Sequence, residues 1–120
     1  MTAITTHVLD TARGLPAAGV AVRLQRIADG GAAAELGRAR TDDDGRIGAL
    51  GPPRLEPGTY RLVFDTGNYF SERTGAGQAQ APAPSFFPEV AVTFTVDGRA
   101  DHVHVPLLLS PFGYSTYRGS

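Results

Sequence analysis

Apolar and polar residues alternate with a period of two in several short runs, the signature of half-buried strands rather than helices. Ile4, Thr6 and Val8 alternate with Thr5, His7 and Leu9 in a first strand that ends near Asp10–Gly14. Pro16 and Gly19 bracket a turn, and Val20, Val22 and Leu24 then form the core face of a second strand. Asp29-Gly30-Gly31 is a tight reversal, and Glu35 to Thr41 is a third, weakly patterned strand. Asp42-Asp43-Asp44-Gly45-Arg46 is a polar turn before a short strand around Ile47, and Pro52 to Gly58 is a loop. Tyr60, Leu62 and Phe64 restart the alternation strongly, and Asp65 to Arg73 loses it and fits one or two turns of helix.

Gly75 to Pro84 is rich in Ala, Gly and Pro and reads as a mobile surface loop. Val90, Val92, Phe94 and Val96 make another core face, and Asp97-Gly98 is a hairpin signal into the next strand. There Val103, Val105, Leu107 and Leu109 face one way and His102, His104, Pro106 and Leu108 the other. A turn at Ser110–Gly113 leads to a last strand through Tyr114, Thr116 and Arg118. About eight short strands with at most one brief helix fit an all-β fold, two antiparallel sheets packed face to face.

The face carrying His102, His104, Pro106 and Leu108 mixes imidazoles with apolar side chains. That mixture suits neither a dry core nor a plain solvated surface, and a second subunit or a small ligand would explain it. His7 and Leu9 repeat the mixture on the first strand.

Composition narrows the chemistry. The 120 residues make one domain, residues 1–120, with 42% hydrophobic and 19% charged residues, as in a globular protein. A net charge of -1 gives no electrostatic reason to expect nucleic acid or an anionic membrane as partner. There is no cysteine, which excludes thiol nucleophiles, disulfides and thiolate metal sites. All 11 basic residues are arginine, so Schiff-base and lysine-base chemistry are excluded as well. The three histidines therefore carry most of the acid–base capacity near neutrality. Nothing at the amino end resembles a signal peptide, and no apolar run approaches the roughly 20 residues of a membrane span. The expected setting is cytoplasmic.

His102-Val103-His104, joined by His7, could in principle hold a zinc ion or act as an acid–base pair, but no recognisable zinc motif is present. Asp42–Gly45 has the look of half a calcium loop without its spacing or closing glutamate, and reads as a solvated turn.

Several motifs, in order along nearly the whole chain, carry a resemblance. Thr6-His-Val-Leu-Asp-Thr-Ala-Arg-Gly14 with Pro16–Val20, Thr41–Arg46, Phe86-Phe-Pro-Glu-Val90, His102–Pro111 and Tyr114–Ser120 resemble those of the 5-hydroxyisourate hydrolases, transthyretin-related enzymes of urate breakdown. Val103 departs from the aromatic residue often found between the two histidines in that family, and the Gly75–Pro84 stretch looks longer than usual.

The resemblance implies a sandwich of two four-stranded sheets with one short helix, assembled as a homotetramer, a dimer of dimers. The active sites would lie in a channel between dimers. It implies His7, Arg46, His104 and Ser120 as the catalytic set, with His7, Arg46, Tyr117, Arg118 and Gly119 binding substrate. Leu9, Pro106, Leu108 and Ser115 would line the channel, and His102 has no catalytic part. The implied reaction is hydrolysis of 5-hydroxyisourate, without metal or organic cofactor. A carrier of a small aromatic ligand on the same fold is the alternative.

Overall fold

A computed structural model describes residues 3–72, 85–98 and 102–120 of the chain. The Gly75–Pro84 stretch, expected as a surface loop, lies outside the described residues. The strands are β1 (Ile4–Asp10), β2 (Leu15–Pro16), β3 (Ala21–Ile27), β4 (Ala33–Arg40), β5 (Arg46–Ile47), β6 (Gly58–Phe64), β7 (Val90–Val96), β8 (Val103–Ser110) and β9 (Gly113–Thr116). Among the described residues there is one helix, α1 (Thr66–Glu72), which follows β6 and is capped by Asp65, whose carboxylate accepts from the Asn68 amide.

The strands form two sheets, β4-β3-β6-β7 and β2-β1-β8-β9, with β5 also paired to β1. Their facing sides make one core. Ile4 and Val8, Val22 and Leu24, Tyr60, Leu62 and Phe64, and Leu107 and Leu109 are buried there. Each fully buried side chain of this size contributes about 1.5–3 kcal/mol relative to exposure. Tyr69 and Phe70 of α1 extend the same core. On β1 the alternation is complete: Ile4, Thr6, Val8 and Asp10 are buried, and Thr5, His7 and Leu9 are half-buried.

Four details differ from the sequence expectation, each for a physical reason. The β1 sheet has five strands rather than four, because the two-residue segments β2 and β5 share one flank of β1. The sheets are not wholly antiparallel: β1 and β8 run parallel from Ile4↔Val103 to Asp10↔Leu109. Asp97-Gly98 closes no hairpin, because β7 and β8 belong to different sheets. Parallel neighbours require a long connection, and β8 reaches β1 from the opposite sheet.

The last difference is at the carboxyl end, where β9 stops at Thr116 instead of running through Arg118. Pro106 explains the stop. It lacks an N–H, and its carbonyl accepts the Thr116 hydroxyl on the β9 side, so the ladder has no donor where Tyr117 would pair. Gly119 re-forms a bridge with His104 in the same register, its amide donating to the His104 carbonyl at 2.8 Å. Likewise, the weak pattern of β4 reflects a bulge: Leu24 pairs with Gly37 and Gln25 with Glu35, which leaves Leu36 unpaired and slips the alternation.

Candidate functional site

The outer face of the β1 sheet gathers the histidines through register alone. Residues opposite one another on paired strands share a face. Thr5 lies opposite His104, and His7 opposite both Pro106 on β8 and Arg46 on β5. Leu9 lies opposite Leu108, which in turn lies opposite Ser115 of β9. His7, Leu9, Arg46, His104, Pro106, Leu108 and Ser115 therefore occupy one face, drawn from four strands.

Arg46 is placed by the turn before it. Asp42 Oδ1 accepts the amides of Asp44 and Arg46, and the Gly45 carbonyl accepts from the Val8 amide. Gly45 has φ +76°, and a Cβ there would collide with the Val8 carbonyl, so only glycine fits. In the turn that suggested half a calcium loop, Asp42 Oδ1 instead orders the backbone that carries the arginine.

A cleft of about 300 Å³ opens on this face between Thr5, Arg46, Gly48, His102, His104 and Ser120. Inside it the Thr5 hydroxyl stands between two rings, 2.8 Å from His104 Nδ1 and 2.9 Å from His102 Nε2. The other edge of the His104 ring rests on Gly119, where an added Cβ would fall 2.5 Å from His104 Cδ2. Thr5 and Gly119 thus clamp the ring from two sides, and among the described residues no hydrogen bond engages Nε2. Burial holds the His104 pKa below its ordinary value, and the positive potentials of His102, His7 and Arg46 add to this. A hydrogen bond with the Thr5 backbone acts the other way. The ring therefore favours its neutral, proton-accepting form.

Within one chain the structure divides the expected site. His104, Arg46 and Ser120 line the cleft, Gly119 packs against the His104 ring, and His7 stands beside Arg46 just outside the lining. Tyr117 and Arg118 instead line a separate cleft of about 380 Å³ with Val92, Phe94 and Val103, between the β7 edge and the β8–β9 edge. One member of this cluster escaped the sequence reading and another was set aside by it. Thr5 shares the outward parity of His7, but its role depends on a parallel pairing across 99 residues that no local pattern announces. His102, set aside at the sequence level, is tied to His104 through Thr5. No group of three or more His, Cys, Asp or Glu side chains is disposed to hold a metal ion among the described residues.

A two-sheet β-sandwich with a histidine–arginine cleft on one outer face is the class that fold and site define. Residues 4–119 match the HIUase/Transthyretin family, and the chain belongs to that family. A 5-hydroxyisourate hydrolase of Mus musculus is 50% identical over 119 residues, covering 98% of this chain and 94% of the relative. The solved 5-hydroxyisourate hydrolase of Klebsiella pneumoniae superposes with a TM-score of 0.78 at 36% identity, covering 98% of both chains. Sea bream transthyretin in complex with thyroxine superposes with a TM-score of 0.85 at 27% identity, covering 98% of this chain and 94% of the other.

Proposed function

We propose that this chain hydrolyses 5-hydroxyisourate, opening its six-membered ring at the N1–C6 amide to give 2-oxo-4-hydroxy-4-carboxy-5-ureidoimidazoline. The observation that carries the reading is the His104 ring, clamped in a cleft beside Arg46 and biased towards its neutral form, in a chain half identical to an enzyme of that name.

Hydrolysis of an amide needs a base for the attacking water and donors for the oxyanion. His104 Nε2 takes the proton as the water oxygen bonds to C6. Arg46, always charged, binds the substrate oxygens and stabilises the negative charge that develops on the C6 oxygen. As the C6–N1 bond breaks, N1 takes up a proton, returned by His104 or by His7. Gly119 and Ser120 close the cleft from the carboxyl end, and Tyr117 and Arg118 complete the substrate contacts. No step calls on a metal or an organic cofactor.

The assembly in this reading is a homotetramer, a dimer of dimers. Two features support it. Among the described residues β7 and β9 are sheet edges without a further neighbour, on the same side, and Val92 and Phe94 on β7 are only half-covered although they face inwards. The outer face also offers Leu9 and Leu108, half-buried in the single chain, to a second dimer. The setting is cytoplasmic in the same reading.

The alternative is a carrier that binds an aromatic ligand without turnover, favoured by the likeness to a thyroxine-bound structure. Two histidines and an arginine on the channel face speak for the enzyme, since an apolar ligand needs none of them. The test is to generate 5-hydroxyisourate from urate with a urate oxidase and follow its ultraviolet decay. Acceleration above the spontaneous rate is expected, and its absence excludes the hydrolase.

A further inference from the structure

We propose that the Thr5 hydroxyl is a proton relay between His104 and the exposed His102, so that the ring in the cleft acts as a base without itself retaining the positive charge. The inference rests on the reading of His104 as the base and adds two positioning residues, Thr5 and His102, to it.

The argument begins with the capacity of one hydroxyl. It carries a single proton and can accept two hydrogen bonds. Thr5 Oγ1 lies within hydrogen-bond distance of two ring nitrogens, and no third partner for it is described. With both rings neutral, two arrangements satisfy all three groups. In one, the hydroxyl donates to His102 Nε2 and accepts from His104 Nδ1–H, which leaves His104 Nε2 with a free lone pair towards the cleft. In the other, the hydroxyl donates to His104 Nδ1 and accepts from His102 Nε2–H, so that His104 Nε2 carries the proton and cannot act as a base. A charged His102 has protons on both nitrogens and permits only the second. The protonation of the outer ring thereby selects the tautomer of the inner one.

The same three groups can move charge. When His104 Nε2 takes a proton from water, its Nδ1 proton passes to Thr5 Oγ1 and the Thr5 hydroxyl proton passes to His102 Nε2. His104 is then neutral with a proton on Nε2, and the positive charge rests on His102. Delivery of the Nε2 proton to the departing nitrogen runs the relay backwards and restores the starting arrangement. The direction makes physical sense, because His102 is exposed and His104 is half-buried. The other charges felt by His104 are His7 from β1 and Arg46 from β5, and both also disfavour an imidazolium there.

The test uses the full chain, labelled with 15N-histidine and without substrate. The ring nitrogen shifts report the tautomer of His104 as the pH is varied. Above the titration of His102, His104 is expected to hold its proton on Nδ1, and to change to Nε2 as His102 charges. Thr5→Val should abolish this coupling and Thr5→Ser should keep it. In the hydrolase assay, Thr5→Val and His102→Gln should lower kcat/KM by about 10-fold, less than the ~100-fold or more of losing the base itself. The acid limb of the pH profile should follow His102 in the parent and in Thr5→Ser only. A His104 tautomer that ignores the titration of His102, or a Thr5→Val profile identical to the parent, overturns the relay. His102→Gln alters an exposed residue and keeps the test decisive if Thr5→Val does not fold. Coupled titration in a protein that fails to hydrolyse 5-hydroxyisourate would leave the relay standing and remove only the functional reading.

Discussion

Strand β1 serves two polar clusters, and they differ in what is left over. At its inner end Asp10 is fully buried: Oδ1 accepts the amides of Ala12 and Arg13, and Oδ2 accepts the Tyr69 hydroxyl at 2.7 Å. The cluster ties the end of β1 to α1. On the outer face His102 and His104 both bond Thr5, yet among the described residues no hydrogen bond engages His104 Nε2, and the ring lines a cleft beside Arg46. A buried polar group with every partner in its own chain stabilises the fold; one with a nitrogen held in reserve is available for chemistry. The two clusters should therefore separate cleanly under mutation, one in rate and the other in stability.

The largest expected effect is on rate. His104→Asn should lower kcat/KM for 5-hydroxyisourate by at least about 100-fold. Thermal unfolding should change little, because the clamp around the ring is made by groups that persist. A near-normal rate would deprive His104 of its role. Gly119→Ala comes next. The new methyl would meet His104 Cδ2 at 2.5 Å, and the ring must leave the Thr5 hydroxyl to accommodate it. A loss approaching the ~100-fold that accompanies a 1 Å misplacement is expected, with the global fold retained. An unshifted ring in a crystal structure of that variant would refute the clamp.

Tyr69→Phe should do the opposite. It removes the hydroxyl that donates to Asp10 Oδ2, at a cost of about 1–3 kcal/mol in denaturant unfolding, with turnover per folded molecule unchanged. The pH dependence separates the clusters further. Burial, then the bond to Asp10 and its charge, push the Tyr69 pKa up to about 12. The fold thus prefers the neutral phenol, and that stabilisation is present below about pH 10 and lost as the pH rises towards 12. The His104 pKa is depressed, so the unfolded chain takes up the proton first and stability falls as the pH drops below about 6.5. His104→Asn should flatten the acid slope only, and Tyr69→Phe the alkaline slope only. Any crossing of the two would mean that the clusters communicate through β1.

Much of this was legible in the residues. The period of two on β1 and β8 gives the faces of His7 and His104 directly, and the motifs in their order identify the family. The parallel pairing of β1 with β8 was not legible, because alternation fixes which face a side chain takes but not which strand lies beside it. Thr5 and His102 are therefore invisible as partners until the register is known. Nor could the sequence show that Pro106 interrupts the ladder at Tyr117, which separates Tyr117 and Arg118 from Gly119 within one chain.

The smallest effect belongs to the outer face of the other sheet, which carries charge without a reserve of the same kind. Arg38 makes a two-pronged bond to Glu35 at 2.8 and 2.9 Å, and Arg23 and Arg40 face Glu89 and Glu72 at 3.6 and 4.0 Å. All are exposed enough for water and salt to screen them, and such pairs contribute little. The Glu35 pKa lies below its usual value through its bond to Arg38, but an exposed carboxylate converts that shift into little stability. Arg38→Ala should leave both the melting temperature and kcat/KM unchanged within error. A drop of several degrees would show that the arginine face is covered in the assembled protein, and would place an interface on the second sheet as well as the first.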